Sequence, residues 1–263
     1  MDFFGKKWRI ASISGFPIEV NISFLILLVL VFLTRGGLVG VFLTGLTFAS
    51  VLLHELGHAV TARRLGVHIA GIELQFFGGM AKMVTPPRSA RDEILIALMG
   101  PAVSLGLALV TLPLASVLGS SLLLYVGLTN LILGAFNLLP ALPMDGGRVY
   151  RAYRAQRVGV LTATQQAVTL SKYIAFGLGL LGLFAGQFFM VALAIMLYFM
   201  AKAELLTAFM LRYNDAPAEP IDYEVLDATG RVIYDPRGYY QGYDVYEEQF
   251  GPVRRVVFRP RRW

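Results

Sequence analysis

The sequence predicts an all-α polytopic membrane protein with about six transmembrane helices, a small membrane-associated β-hairpin and a short soluble C-terminal segment. Hydrophobic residues make up 56% of the 263, and the mean hydropathy is +0.64, well above a soluble average. Apolar stretches long enough to cross a bilayer recur up to about residue 213, and the composition then turns polar. The chain divides on this basis into a membrane domain at 1–213 and a cytoplasmic tail at 214–263. There is no cysteine, which excludes disulfides and thiolate ligands and leaves His, Asp and Glu to hold any metal. The net charge of +6 reads as cytoplasmic loops and lipid contacts, and no nucleic-acid partner is expected.

Lys6, Lys7 and Arg9 precede the first apolar stretch, 18–34. It is longer than the apolar part of a secretory signal and lacks a small-residue cleavage site, so it reads as a retained helix. The second span, 38–65, carries His54-Glu55-Leu56-Gly57-His58 in its last third, although titratable groups are costly at membrane depth, and it closes on Arg63 and Arg64. Glycines break the pattern between 66 and 85. Rough alternation around Gly78-Gly79 fits two short strands, and an interfacial loop fits equally well. A hairpin here, with Gly78, Gly79 and Met80, would offer a free edge to an unwound substrate segment.

The third span starts at Asp92 and Glu93, which suit a helix N-terminus, and runs to 118. Gly100-Pro101-Ala102-Val103-Ser104 inside it reads as a kink with small packing residues. The fourth span, 122–139, ends in a stretch holding Asn137, Pro140, Pro143, Asp145, Gly146 and Gly147. Irregular backbone at that depth is tolerated only where it is buried in protein or lines a wet cavity. Arg148, Arg151, Arg154 and Arg157 then connect to two further spans, 170–186 and 187–211. Gly177, Gly179, Gly182 and Gly186 in the first of these favour close helix contact. In the tail, 223–234 reads as a hairpin and 253–258 as a further strand, and the basic end around Arg254 to Arg262 suits anionic lipid or solvent equally.

Six spans put both termini on one side. With loops assigned alternately, only Arg35 of the 23 Lys and Arg residues falls on the other side, so both termini are expected in the cytoplasm. His58 and Asp145 each precede an arginine-rich end, which places their site toward the cytoplasmic face.

The chemistry centres on 54–58. On a helix, residues four apart project from one face, so His54 and His58 can grip one metal ion, with Glu55 beside them. In this H-E-x-x-H arrangement neutral imidazoles hold zinc and the glutamate serves as base for a metal-bound water. Asp145 is the leading third ligand, because two histidines and a carboxylate leave the fourth tetrahedral position open. Glu73 is a rival, weakened by its place in an apparent strand. Arg64 stands where another class of zinc proteases has a third histidine, and His68 reads as an interfacial side chain.

These features together resemble the site-2 protease family of intramembrane zinc metalloproteases, in the compact bacterial and archaeal form related to the sporulation protease that processes a pro-sigma factor. The resemblance rests on Gly15-Phe16-Pro17-Ile18-Glu19-Val20-Asn21, the 54–58 motif, Gly78-Gly79, Gly100-Pro101 and the stretch from Asn137 to Arg148, over roughly the first 150 residues. Asn21 stands where related chains often carry histidine. The resemblance implies one zinc ion on His54, His58 and Asp145, Glu55 as activating base, and Asn137 orienting the substrate carbonyl. For Asn137, a helix-end amide that satisfies freed backbone groups is an equal reading. The family further implies cleavage of a protein substrate's transmembrane segment in a prokaryotic cell membrane, among lipids and with a gating partner, and no PDZ or CBS domain is seen. Two other classes stand beside this reading. A divalent-metal transporter would line several helices with ligands, and a non-catalytic chaperone or receptor would usually lack Glu55 or a ligand.

Overall fold

The computed structural model describes residues 7–76, 78–215, 243–250 and 253–260. Strands β1 (Lys7–Ile13) and β2 (Phe16–Asn21) lead into helix α1 (Ile22–Val31), which passes through a π-helical turn at Phe32–Gly36 into α2 (Gly37–Arg64). Strands β3 (Ile69–Gln75) and β4 (Gly78–Met83) follow, and then helices α3 (Ala90–Leu118), α4 (Ser121–Asn137), α5 (Asp145–Val158), α6 (Val160–Phe184) and α7 (Phe188–Asp215). In the second unit, which begins at Leu211, β5 (Tyr243–Phe250) and β6 (Val253–Pro260) form an antiparallel pair of their own. The strand expected at 253–258 is β6, while the hairpin expected at 223–234 lies outside the described residues.

Four helices are long and apolar enough to cross a membrane: Gly37–Arg64, Ala90–Leu118, Val160–Phe184 and Phe188–Met210. Two shorter apolar helices, Ile22–Thr34 and Ser121–Asn137, accompany them. Their outward faces carry many large apolar side chains. Val117 is 81% exposed and Phe184 and Phe188 are each 84% exposed, a surface suited to hydrocarbon rather than water. The protein is an integral membrane protein.

The structure differs from the sequence reading in three places. The apolar run expected as one helix from residue 18 begins instead as strand β2, with Phe16, Ile18 and Val20 buried and Pro17 and Glu19 half-buried between them. That alternation is the period of a strand, whereas average hydropathy registers only the apolar content. The helix starts at Ile22, where the Asn21 side chain caps it by accepting from the Ser23 amide at 3.0 Å. Second, the hairpin at 66–85 is present, but as half of a four-stranded sheet ordered β1-β2-β3-β4, in which β2 and β3 are parallel. The chain turns before Gly78, so Gly78 and Gly79 belong to β4. Third, the basic connection after Asp145 is itself helix α5, and α6 begins at Val160 rather than near 170.

The sheet packs on α2 through Phe16, Ile18, Val20, Ile72 and Leu74 against Phe48 and Ala59. Arg151 of α5 bonds Glu93 of α3 at 2.6 Å and Glu204 of α7 at 2.7 Å, tying three helices together. Between α2 and α4, the buried Asn130 amide donates to Ser50 Oγ at 2.9 Å.

Candidate metal centre

Helix α2 brings His54 and His58 one turn apart on a buried face. Asp145 reaches them because it is the first residue of α5, where the chain has just re-entered a helix after Pro140 and Pro143. Gly146 and Gly147 make that tight return feasible. A Cβ on Gly146 would lie 2.2 Å from the Leu138 carbonyl oxygen, and one on Gly147 2.4 Å from Ala141 backbone carbon. Asp145 Oδ2 then sits 3.1 Å from His54 Nε2 and 3.2 Å from His58 Nε2.

This geometry fits a metal ion. Ligand atoms about 2.0–2.1 Å from a tetrahedral zinc lie roughly 3.3 Å from one another. One donor atom from each of His54, His58 and Asp145 falls within 4.8 Å of the others, and all three residues are buried. The hydrogen bonds agree. His58 Nδ1–H donates to the Ile96 carbonyl at 2.7 Å, so a neutral His58 turns only a lone pair toward the carboxylate. Two acceptors held that close share a positive charge between them, which a metal ion or a proton can supply. His54 Nδ1 in turn pairs with Ser104 Oγ at 3.0 Å, again leaving Nε2 for the shared centre. Gly100 supplies the room, since a Cβ there would come within 2.1 Å of His58 Nε2 and 2.6 Å of His54 Nε2.

Glu55 lies beside this cluster, and one of its oxygens, Oε2, accepts the Ala81 amide of β4 at 3.1 Å. That N–H points away from β3, so it belongs to the outer edge of the sheet. Gly79 sits directly over the acid: a Cβ there would be 2.8 Å from Glu55 Cγ and 3.0 Å from Val51 Cγ1. Gly78, with a φ of +131°, adopts a backbone conformation that favours glycine. Met80 alternates to the opposite face and is half exposed.

Two residues weighed in the sequence, Glu73 and His68, make their contacts elsewhere. Glu73 is 1% exposed and engaged elsewhere: its Oε2 lies 2.6 Å from Lys7 Nζ and 2.5 Å from Lys82 Nζ, and Oε1 accepts from Asn21 at 2.9 Å. His68 is exposed, with its backbone amide on Thr85 Oγ1. Asn137 ends α4 and gives its amide to the Leu133 carbonyl at 2.9 Å. Conversely, the sequence marks Gly100 and Ser104 as small packing residues and gives Ile96 no role. Their four-residue spacing marks one face of α3, and it is this face that holds both imidazoles.

Residues 41–121 and 113–182 match the family model described as peptidase family M50, a region that contains all three donors and Glu55. The chain belongs to peptidase family M50. Among M50 relatives, a zinc metalloprotease of Methanocaldococcus jannaschii is 36% identical over 204 residues, 74% of this chain and 60% of that protein. A Synechocystis protein named as a zinc metalloprotease is 33% identical over 206 residues, 69% of this chain and 54% of its own length. The M50 chain thus spans only between half and two thirds of the curated relatives it matches most extensively. A solved structure, the site-2 protease from Methanocaldococcus jannaschii, superposes with a TM-score of 0.61 at 36% identity, covering 76% of this chain and 95% of that one.

Proposed function

We propose that this protein is a zinc-dependent intramembrane endopeptidase that hydrolyses peptide bonds in or near the transmembrane segments of membrane-tethered proteins. The observation that supports this best is the buried His54, His58 and Asp145 cluster, set among helices long enough to cross a membrane, with an acid adjoining it. The names of the M50 relatives favour zinc, and the donor set of two imidazoles and one carboxylate suits it.

His54, His58 and Asp145 would hold the ion, which when bound supplies a Lewis acid for the substrate carbonyl and a more acidic water. Glu55 takes the proton from the attacking water and later gives it to the leaving amine, so that the C–N bond breaks and one water is consumed. The Ala81 amide steadies one Glu55 oxygen and leaves the other for that proton. A substrate segment unwound from its helix would pair with the outer edge of β4 at Gly78, Gly79 and Met80. The missing side chain at Gly79 lets β4 lie close against Glu55, so that a segment paired there would be held beside the acid. Asn137 would orient the substrate carbonyl from the end of α4.

The same reading assigns α1 and α4 as the spans that bring the total to six, with both termini in the cytoplasm of a prokaryotic cell and the metal centre toward that side. It also divides the chain at 213/214, with residues 214–263 as a cytoplasmic tail, and allows a membrane partner to gate the site. The purified Glu55→Gln variant should keep its metal, measured by elemental mass spectrometry, and lose at least about 100-fold in cleavage of a tethered substrate. Full activity in that variant would refute the assignment.

A further inference from the structure

The chain ahead of Asp145 sets where that carboxylate can reach, and the connection from α4 to α5 has few anchors of its own. Pro140 and Pro143 have no N–H to give. Met144, at the N-cap position of α5, makes no side-chain cap. The amides of Leu138, Leu139, Ala141 and Met144 all bond to carbonyls within 134–141. The Leu142 amide alone among these goes to another helix. It donates to Ser171 Oγ of α6 at 2.7 Å, and the same hydroxyl donates to the Ala167 carbonyl at 2.7 Å. Leu142 and Ser171 are each 0% exposed, and the Leu142 side chain packs with Ala167 and Val168 of α6 and Ala201 of α7.

This contact bears on the metal centre because the first turn of α5 lies directly on the same connection. A Cβ on Gly147 would come within 2.4 Å of the Leu142 amide nitrogen, and one on Gly146 within 2.2 Å of the Leu138 carbonyl oxygen. With no slack between them, a shift of Leu142 carries Asp145 along, while His54 and His58 stay on α2. Only a hydroxyl's ability to donate and accept at once satisfies both the Ala167 carbonyl and the Leu142 amide here. Without it a buried amide is left unpaired, which favours displacement of the connection. Further along α5, Arg151 fixes the helix to Glu93 and Glu204, so the end that carries the ligand is the one that depends on Ser171.

We propose that Ser171 is a positioning residue for the metal centre: by accepting the Leu142 amide it holds Asp145 where an ion shared with His54 and His58 requires it. This role rests on the zinc reading given above and is independent of proteolysis. Chelator competition for zinc on the full chain in detergent tests it, together with the visible spectrum of the cobalt(II)-loaded protein, which reports ligand geometry. Ser171→Ala should bind zinc roughly tenfold more weakly than the wild type and alter the cobalt spectrum. Thr164→Val, which removes another fully buried hydroxyl of α6 whose bond runs to Val160 of its own helix, should change neither. Wild-type affinity in Ser171→Ala overturns the proposal, as does an equal loss in Thr164→Val or a weaker affinity with an unchanged cobalt spectrum. Should Ser171→Ala not fold, Ser171→Cys, whose sulfur accepts only weakly, repeats the comparison. Failure of both to fold also overturns it, because the hydroxyl then serves the whole fold rather than the ligand. A wild type that holds zinc and cleaves nothing would sink the protease alone, since the affinities still test Ser171. A wild type that binds no zinc would sink the metal reading and this role with it.

Discussion

At the scale of single residues, the bond from His58 Nδ1 to the Ile96 carbonyl decides which nitrogen faces the shared centre, and Ser104 does the same for His54. Such outer partners fix ring orientation and hold ligands ready before an ion arrives. Ser104→Ala should therefore weaken metal binding about 10–100-fold in a chelator competition while the protein stays folded. An unchanged affinity would mean that packing alone orients His54. The three clustered donors were legible in the sequence. His54 and His58 announce themselves by helical spacing inside an apolar run, and Asp145 by the prolines and glycines around it. Ser104 and Gly100 were not, because small residues in an apolar helix look the same whether they face a neighbouring helix or a metal site. Only the placement of α3 against α2 gives their face a meaning.

At the scale of elements, the sheet is held by one buried polar cluster that touches every strand. Lys7 of β1, Asn21 at the end of β2 and Lys82 of β4 all converge on Glu73 of β3. Burial pushes the Glu73 carboxyl up, but the two ammoniums and the Asn21 amide outweigh it and hold the pKa down at about 2. A folded-state pKa below the ordinary 4.5 means the cluster's contribution is fully present above about pH 4.5 and is lost as pH falls toward 2. Glu73→Gln should accordingly unfold at lower temperature than the wild type at neutral pH, with the gap narrowing in acid. Thermal unfolding in detergent across that range measures it, and a gap independent of pH would contradict the ion-pair account. The long helices were legible because apolar length is what a membrane demands. Strand β2 and helix α5 were not. The first is apolar enough to pass for the start of a span, and the second is too polar to stand out from a loop, being anchored instead by Arg151 to Glu93 and Glu204.

At the scale of the whole molecule, the cysteine-free sequence makes the proposed orientation directly testable. In intact cells, Arg35→Cys should react with a membrane-impermeant thiol reagent, and Arg237→Cys should react only after the membrane is opened. The reverse pattern would invert the topology and move the metal centre away from the cytoplasmic side. Charge asymmetry is what argues for this orientation in the sequence, whereas the substrate left no comparable mark, because backbone pairing along β4 would not discriminate among side chains. The most direct measurement of the central claim is therefore mass spectrometry of membrane peptides from vesicles that hold the protein with zinc, with the Glu55→Gln variant as reference. The expected result is new peptide ends inside or beside transmembrane segments, present with the wild type and absent with the variant. Identical peptides from both, in vesicles whose protein carries its full complement of zinc, would contradict it.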